Sequence, residues 1–202
     1  MVFTRSSKAG RRTGVLVVAR KFNLKLILVG DGGVGKTSLV QQFVHARFKQ
    51  DYKITIGVDV SAKTVDLSND IKVQLTIHDI GGQDKFAPLR SNFYRGANIA
   101  MCVYDITREK TLVSLENKWL PELLEYATTS DEKKQSVHLA IIGNKSDLVK
   151  LKSISEEEGQ ALADKFNSVL HIRTSAKDNL NVDESFTTLA RSSLRDFEDL
   201  DI

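Results

Sequence analysis

Residues 30–37 read Gly30-Asp31-Gly32-Gly33-Val34-Gly35-Lys36-Thr37, which has the pattern G-x-x-x-x-G-K-[ST]. The apolar run Leu24–Val29 before it predicts a buried strand, and residues 38–44 after it have the spacing of a helix. Strand, glycine loop and helix are the context in which this pattern binds phosphate. Glycines let successive N–H groups point at phosphate oxygens, and the start of the helix adds unpaired donors. The stretch therefore predicts a phosphate-binding loop.

Two side chains of this loop have distinct predicted roles. Lys36 is expected to reach the terminal phosphates, and the hydroxyl of Thr37 to take a coordination position on magnesium. A chance glycine turn is the alternative, and the flanking strand and helix make it the weaker one. The residues predicted to bind the phosphates are Gly32, Gly33, Val34, Gly35, Lys36, Thr37 and Ser38.

Length and composition favour one domain with a full core. The chain has 202 residues, of which 41% are hydrophobic. Its single cysteine, Cys102, cannot form a disulfide within the chain, which favours a reducing, intracellular setting. No apolar stretch approaches the roughly 18 residues of a transmembrane helix. We expect a cytoplasmic protein that could also associate peripherally with a membrane.

The positive charge is concentrated at the amino terminus. The net charge is +3, but residues 1–21 contain six basic residues and no acid, so the remainder carries −3. The sequence predicts a basic flexible extension at 1–22, one globular domain at 23–197 and a short acidic tail at 198–202. The extension could be a solvated tail or a weak electrostatic contact for a membrane or a partner. It lacks the interleaved aromatic residues of nucleic-acid binding, so no nucleic-acid partner is expected.

Strand and helix patterns alternate along the chain. Two runs of period two, Val58–Leu67 and Ile71–His78, predict a hairpin with its turn at Ser68-Asn69-Asp70. Further strands are predicted at 98–104, 137–143 and 169–173, and further helices at 111–126, from 155 and at 182–197. Pro121 is expected to kink its helix, and Ser155 with Glu158 has a capping-box pattern. The alternation predicts an α/β fold with a doubly wound, mostly parallel six-stranded sheet and about five helices.

Polar motifs follow three of the predicted strands. Asp79 ends the second hairpin strand, Asn144-Lys145-Ser146-Asp147 follows the strand at 137–143, and Thr174-Ser175-Ala176-Lys177 follows the last strand. Because ligands bind at the carboxyl ends of the strands in such sheets, these motifs are expected to form one site with the phosphate loop. A carboxylate beside a phosphate loop predicts that Asp79 lies on the magnesium side, acting through a metal-bound water.

In their order and spacing, these motifs resemble those of the Ras superfamily of small GTPases, from Asn23 to Phe197. The resemblance implies a monomeric molecular switch that binds GTP or GDP with Mg, hydrolyses GTP to GDP and phosphate, and acts in membrane traffic or signalling. It also implies exchange factors, GTPase-activating proteins and effectors as partners. Their contacts are expected on two switch loops, Lys49–Gly57 and Ile80–Arg95.

The resemblance also implies roles for individual residues. Thr55 matches the threonine that senses the terminal phosphate and magnesium, so the implied metal-side residues are Thr37, Thr55 and Asp79. The backbone N–H of Gly82 matches the second sensor of the terminal phosphate, and Phe48 falls where an aromatic ring packs on the guanine. The residues that match the base-binding motifs are Asn144, Lys145, Asp147, Ser175, Ala176 and Lys177.

Guanine selectivity has a chemical reason at Asp147. One carboxylate can accept hydrogen bonds from the adjacent N1–H and N2–H₂ donors of guanine, whereas adenine offers an acceptor and a donor there. A buried carboxylate left unpaired by adenine discriminates strongly. This argues against a phosphate-loop ATPase or kinase.

Gln83 is predicted to be the catalytic residue that orients the attacking water. An exposed loop glutamine is the alternative interpretation. No arginine that could assist from within the chain is identified, and Arg47, Arg90 and Arg95 are interpreted as surface or switch contacts. Hydrolysis is therefore expected to be slow until a partner supplies an arginine. A nucleotide-loaded pseudo-GTPase scaffold with little or no hydrolysis remains the alternative function.

The motifs combine features of two branches. Residues 55–59 and 93–97 resemble Rab proteins, whereas residues 79–85 resemble the ADP-ribosylation-factor branch, because Gly81 stands where Ras and Rab proteins usually carry Ala. The chain is nearer to Rab. Gly81 predicts a looser second switch in the diphosphate state. The last residues, 198–202, contain no cysteine for prenylation, so no carboxyl-terminal lipid anchor is expected.

Overall fold

A single six-stranded sheet forms the centre of the protein. The computed structural model describes residues 20–48, 55–82, 87–127 and 137–194. The strands are β1 Arg20–Val29, β2 Val58–Ser68, β3 Ile71–Ile80, β4 Ile99–Asp105, β5 His138–Asn144 and β6 Leu170–Thr174. Their order in the sheet is β2-β3-β1-β4-β5-β6. The β2–β3 hairpin is antiparallel and every other neighbouring pair is parallel, which confirms the predicted fold class.

Helices cover both faces of this sheet. They are α1 Lys36–His45, α2 Ala87–Tyr94, α3 Glu109–Ser114, α4 Leu120–Ala127, α5 Glu156–Lys165 and α6 Val182–Leu194. A π turn at Leu115–Trp119 joins α3 to α4 as one interrupted helix, so the expectation of about five helices holds. A short 3₁₀ segment, Ser146–Leu151, follows β5.

The first strand begins earlier than the apolar pattern indicates. β1 starts at Arg20, inside the segment predicted as a flexible extension, and Arg20 pairs with Ile71. Pairing with β4 begins only at Leu26. The first residues of β1 therefore have a neighbour on one side only, and Arg20, Lys21 and Asn23 are exposed there, so this part of the strand has no continuous apolar run.

The irregularity predicted at Pro121 takes the form of the π turn that ends at Trp119, two residues earlier. Proline has no N–H to donate to the preceding turn, and a π turn is one way in which a helix accommodates the missing bond. The turn also places the chain's single tryptophan, Trp119, in the core, where it is fully buried.

Alternating residues of the central strands belong to two apolar clusters, one on each face of the sheet. Leu26 and Leu28 of β1 belong to the cluster under α1 and α6, where Phe43 and Phe186 stack with ring centroids 3.9 Å apart. Ile27 and Val29 belong to the cluster on the opposite face, under α4 and α5. Both faces of β1 are therefore buried, as expected for a central strand of a doubly wound sheet.

The capping box at the start of α5 is confirmed. The Ser155 hydroxyl accepts a hydrogen bond from the Glu158 N–H at 3.1 Å, and the Glu158 carboxylate accepts one from the Ser155 N–H at 2.6 Å. The predicted start of the helix therefore follows from its capping chemistry.

Gly159 of α5 is expected to tolerate no side chain. A Cβ at Gly159 would lie 2.3 Å from both the Tyr104 hydroxyl and His171 Nε2, which form a hydrogen bond of 3.1 Å. Alanine normally favours a helix by about 1 kcal/mol over glycine. Because Tyr104 is fully buried, Gly159→Ala should instead lower the free energy of unfolding by about 1–3 kcal/mol.

Urea unfolding measures this effect, with Gln160→Ala at the next, exposed position as the control. The control should lie within about 0.5 kcal/mol of the wild type. A Gly159→Ala protein more stable than the wild type would contradict the packing described for Tyr104 and His171.

Candidate functional site

The glycine loop between β1 and α1 depends on glycine at particular positions. Gly30, Gly33 and Gly35 have positive φ angles of 137°, 74° and 102°. A Cβ at Gly30 would lie 2.2 Å from the carbonyl oxygen of Val103, and one at Gly35 would lie 2.2 Å from Asn144 Nδ2. The loop therefore needs glycine both for its backbone angles and for its close approach to the ends of β4 and β5.

Lys36, the first residue of α1, is folded into this loop. Its ammonium donates hydrogen bonds to the carbonyl oxygens of Gly30 at 2.6 Å and Asp31 at 3.0 Å, and the residue is only 6% exposed. Burial lowers the pKa of Lys36 to about 8, although nearby Asp79 and Asp31 oppose that shift. A buried cation bonded to neutral carbonyls is well placed to bind an anion that enters the loop. Ser38 lies in the same first turn, where N–H groups have no partner within the helix.

Three oxygen-bearing side chains meet beside the loop. Thr37 Oγ1 lies 2.7 Å from Thr55 Oγ1 and donates a hydrogen bond to Asp79 Oδ2. Asp79 is only 2% exposed, and its Oδ1 has no hydrogen-bond partner in the described part of the chain. Burial raises the pKa of Asp79, opposed by the hydrogen bond from Thr37 and the charge of Lys36.

This set fits magnesium. Mg²⁺ takes oxygen ligands, and nucleotide sites usually supply it with one or two carboxylates or hydroxyls and leave the other positions to phosphate and water. Within residues 20–48, 55–82, 87–127 and 137–194, no group of three or more His, Cys, Asp or Glu side chains is arranged for a metal ion. The two hydroxyls and the under-bonded carboxylate of Asp79 are oxygen donors of the kind that a hard cation takes together with phosphate and water.

The two predicted switch segments meet at consecutive glycines after β3. Gly81 donates its N–H to the carbonyl oxygen of Gly57 at 2.9 Å, and a Cβ on Gly81 would lie 2.6 Å from the carbonyl oxygen of Thr55. Gly81 does not have a positive φ, so glycine is needed here because the Thr55 carbonyl occupies the space that a side chain would take. A Cβ on Gly82 would lie 2.5 Å from the N atom of Gly32, which places the Gly82 backbone directly against the phosphate loop.

The predicted base motif connects back to the phosphate loop. Asn144, at the end of β5, is 1% exposed and donates from Nδ2 to the Val34 carbonyl oxygen at 2.9 Å. Its Oδ1 accepts from the Thr174 hydroxyl at 3.1 Å. Asn144 therefore fixes the distance between the phosphate loop and the loops after β5 and β6.

Two of the remaining base-motif residues, Ser175 and Lys177, lie beside the carboxylate of Asp147. Asp147 Oδ1 accepts a hydrogen bond from the Ser175 hydroxyl at 2.8 Å, and Lys177 Nζ lies 3.9 Å from Asp147 Oδ2. Ala176, the residue between Ser175 and Lys177 in the sequence, is buried. Phe48, which follows the end of α1, is 39% exposed. The carboxylate is thus oriented but keeps acceptor capacity, which is what pairing with two donors of a base requires.

Comparison with known proteins identifies the family. A Ras family model matches residues 25–195. The chain is 39% identical to GTP-binding protein yptV5 of Volvox carteri over 173 residues, 85% of this chain and 82% of that protein. It is 37% identical to Ras-related protein Rab-1 of Theileria parva, covering 83% and 73%, and 37% identical to Ras-related protein RABG3a of Arabidopsis thaliana, covering 93% and 90%.

The chain belongs to the Ras family. It is a small GTPase of the Rab branch. The resemblance drawn from the motifs is therefore confirmed at the level of the family. None of the helices in the described segments is long and apolar enough to cross a membrane.

The structure of this GTPase brings most predicted site residues together at the carboxyl ends of β1, β3, β5 and β6. Gln83 lies outside the described residues, as do residues 49–54 of the first switch loop and 84–86 of the second. The catalytic role of Gln83 therefore stays a prediction.

Arg90, interpreted from the sequence as a surface or switch contact, is not on the surface. It is 2% exposed, and its guanidinium donates to both carboxylate oxygens of Glu122 at 2.8 and 2.7 Å. It also lies over the Trp119 ring, 4.6 Å from the centroid. Arg47 and Arg95 are exposed, as expected. The partner of Arg90 could not be predicted from the sequence, because Glu122 is 32 residues away.

Two side-chain contacts to the phosphate loop were also not predicted from the sequence. Trp119 Nε1 donates to Asp31 Oδ1 at 2.8 Å, which links the π turn to the loop. Arg108, in the segment after β4, donates to the Gly32 carbonyl oxygen at 3.3 Å. The available signal for the second was the position of Asp105 and Arg108 at the carboxyl end of a buried strand, where site residues of this fold collect.

Proposed function

We propose that this Ras-family GTPase is a molecular switch that binds GTP or GDP with magnesium, hydrolyses GTP slowly on its own, and acts in membrane traffic. The observation that carries the proposal is the convergence of three kinds of group at one end of the sheet. They are a buried ammonium inside a glycine loop, an oxygen set with an under-bonded carboxylate, and a second carboxylate oriented by a serine.

Each group has a task in nucleotide binding. The loop N–H donors and Lys36 hold the phosphates, and Asp147 accepts from the guanine base. Thr37, Thr55 and Asp79 would hold the magnesium ion, which when bound neutralises phosphate charge and helps to orient the phosphates. Lys145, Ser175 and Ala176 complete the wall of the base site, with Lys177 and Phe48 at its rim.

Hydrolysis is proposed to depend on the segment that begins at Gly82. The Gly82 backbone lies against the phosphate loop, and Gln83 is the next residue in the sequence. A glutamine amide there can accept one hydrogen bond from a water molecule and donate another to it, which orients the water for in-line attack.

The switch function is proposed to reside in Thr55 and Gly82. Thr55 contacts Thr37 through its hydroxyl, and Gly82 lies against Gly32, so one described residue of each switch segment lies beside the phosphate loop. Loss of the terminal phosphate removes a ligand that both segments can bind, and such a loss releases switch loops in nucleotide switches. Exchange factors, activating proteins and effectors are the proposed partners that distinguish the two states. The Rab-related relatives support membrane traffic as the setting.

The test combines nucleotide content with turnover. Nucleotide is extracted from purified protein, and GTP and ATP hydrolysis are followed with magnesium for the wild type, Gln83→Leu and the exposed control Gln160→Leu. We expect bound guanine nucleotide and slow GTP turnover that Gln83→Leu lowers by about 10- to 100-fold, because the water loses its orienting group.

The control should turn over GTP at the wild-type rate. Retained GTP with no turnover in any of the three proteins would favour a nucleotide-loaded scaffold. Bound adenine nucleotide would overturn the proposal.

A further inference from the structure

Asp105, the last residue of β4, is a buried carboxylate with two cationic partners. It is 1% exposed, and its Oδ1 accepts from the N–H of Thr107 at 3.0 Å and from the Thr107 hydroxyl at 2.7 Å. Its Oδ2 lies 2.9 Å from Arg108 Nε and 2.7 Å from Lys145 Nζ. Burial alone would raise the pKa of Asp105, but the hydrogen bonds from Lys145 and Thr107 outweigh burial and hold that pKa below its usual range.

Arg108 uses the two ends of its guanidinium for different partners. Nε donates to Asp105, while Nη2 donates to the carbonyl oxygen of Gly32 in the phosphate loop at 3.3 Å. The backbone of Arg108 is itself fixed, because its N–H donates to the Asp105 carbonyl at 3.0 Å and its carbonyl accepts from the N–H and hydroxyl of Thr111 at 2.9 and 2.7 Å. A planar guanidinium on an anchored backbone holds its two acceptors at a set separation.

Lys145 brings the base motif to the same carboxylate oxygen. It has a positive φ of 69°, which turns the chain sharply after Asn144, and its half-buried side chain places the ammonium against the buried carboxylate of Asp105. Asp105 therefore connects the phosphate loop, through Arg108, to the base loop, through Lys145. These are the two loops between which a nucleotide must lie under the function proposed above.

We propose that Arg108 is a positioning residue that ties the phosphate loop to the base loop through Asp105 and thereby slows nucleotide release. This inference rests on the proposed function. The guanidinium holds the Gly32 carbonyl, which keeps the loop N–H groups aimed at the phosphates. Without Arg108, opening of the loop no longer breaks a charge-assisted hydrogen bond, so bound nucleotide escapes sooner.

The experiment measures GDP release from the magnesium-loaded full chain with a fluorescent GDP analogue. We expect Arg108→Gln to release it about tenfold faster than the wild type, a change equivalent to about 1.4 kcal/mol. Arg108→Lys should release it as fast as Arg108→Gln, because an ammonium that pairs with Asp105 does not span to Gly32. Lys165→Gln removes another ion pair, an exposed one with Glu116 that includes no residue of either loop, and should behave as the wild type.

A double-mutant cycle separates positioning from general destabilisation. In an Asp105→Asn background, Arg108→Gln should add less than about twofold, because the tie is already broken. Additive effects, or an Arg108→Lys protein with the wild-type rate, would overturn the positioning role. A wild type that binds guanine nucleotide and releases it no more slowly than Arg108→Gln defeats this inference alone. A wild type that binds no guanine nucleotide defeats the proposed function as well.

Discussion

Asp147→Ala is expected to weaken GDP binding by about 10²- to 10⁴-fold. The carboxylate would accept from the N1–H and N2–H₂ donors of guanine, and each charge-assisted hydrogen bond contributes about 1.5–3 kcal/mol. In the structure Asp147 is oriented by the Ser175 hydroxyl at 2.8 Å, so little conformational entropy is lost when the carboxylate takes the bound arrangement. Alanine leaves both base donors without an acceptor in a shielded site.

A comparison of two ligands isolates this contact. Inosine diphosphate lacks the exocyclic amine of guanine, so the wild type should bind GDP about 10- to 100-fold more tightly than IDP. In Asp147→Ala that ratio should approach one, because the acceptor that distinguishes the two bases is gone. Equilibrium competition with a fluorescent GDP analogue gives both affinities.

Asp178→Asn is the matched control, since it removes an exposed carboxylate three residues after Ser175. It should keep the wild-type preference for GDP. A GDP to IDP ratio that survives in Asp147→Ala would show that another group reads the base.

The sequence was sufficient for the fold and for assigning most of the candidate site residues to one edge of the sheet. Buried parallel strands such as β4 and β5 are continuous apolar runs, and each ends where a polar motif begins. Because those motifs must lie at the carboxyl edge of the sheet, Asp79, Asn144 and Thr174 can be assigned to one site from the sequence alone. The phosphate loop could also be predicted from the sequence, because its pattern places glycine where the backbone must turn around a phosphate.

Pairings over long sequence separation could not be read in the same way. Arg90 with Glu122, and Lys145 with Asp105, use residue types that ordinarily cover a solvated surface. Their burial depends on which elements pack together, and the local pattern around each residue does not record that. Gly81 is a similar case, because the sequence suggests backbone freedom, whereas its contacts show that the Thr55 carbonyl fills the space of a side chain.

Asp79→Asn is expected to have opposite effects on the metal-free and the magnesium-loaded protein. Asp79 is 2% exposed, its Oδ1 is unpartnered within the described segments, and Asp59 lies across from it in the β2–β3 register. Without a cation this buried charge costs free energy, so the neutral amide should raise the free energy of unfolding of the metal-free protein by about 1 kcal/mol or more. With magnesium and GDP, loss of the carboxylate should weaken magnesium binding by about 10- to 100-fold.

Two measurements on the same proteins test this reversal of sign. Urea unfolding without magnesium or nucleotide reports the cost of the buried charge, and GDP release during a magnesium titration reports metal affinity. Asp66→Asn removes an exposed carboxylate of β2 that pairs with Lys72, and should change neither quantity appreciably. If Asp79→Asn lowered the free energy of unfolding of the metal-free protein, Asp79 would be holding Thr37 and Thr55 for structural reasons. A gain of stability without the metal and a loss of magnesium affinity with it would show that the carboxylate is kept for the cation, because the hydrogen bond from Thr37 and the charge of Lys36 compensate its burial only in part.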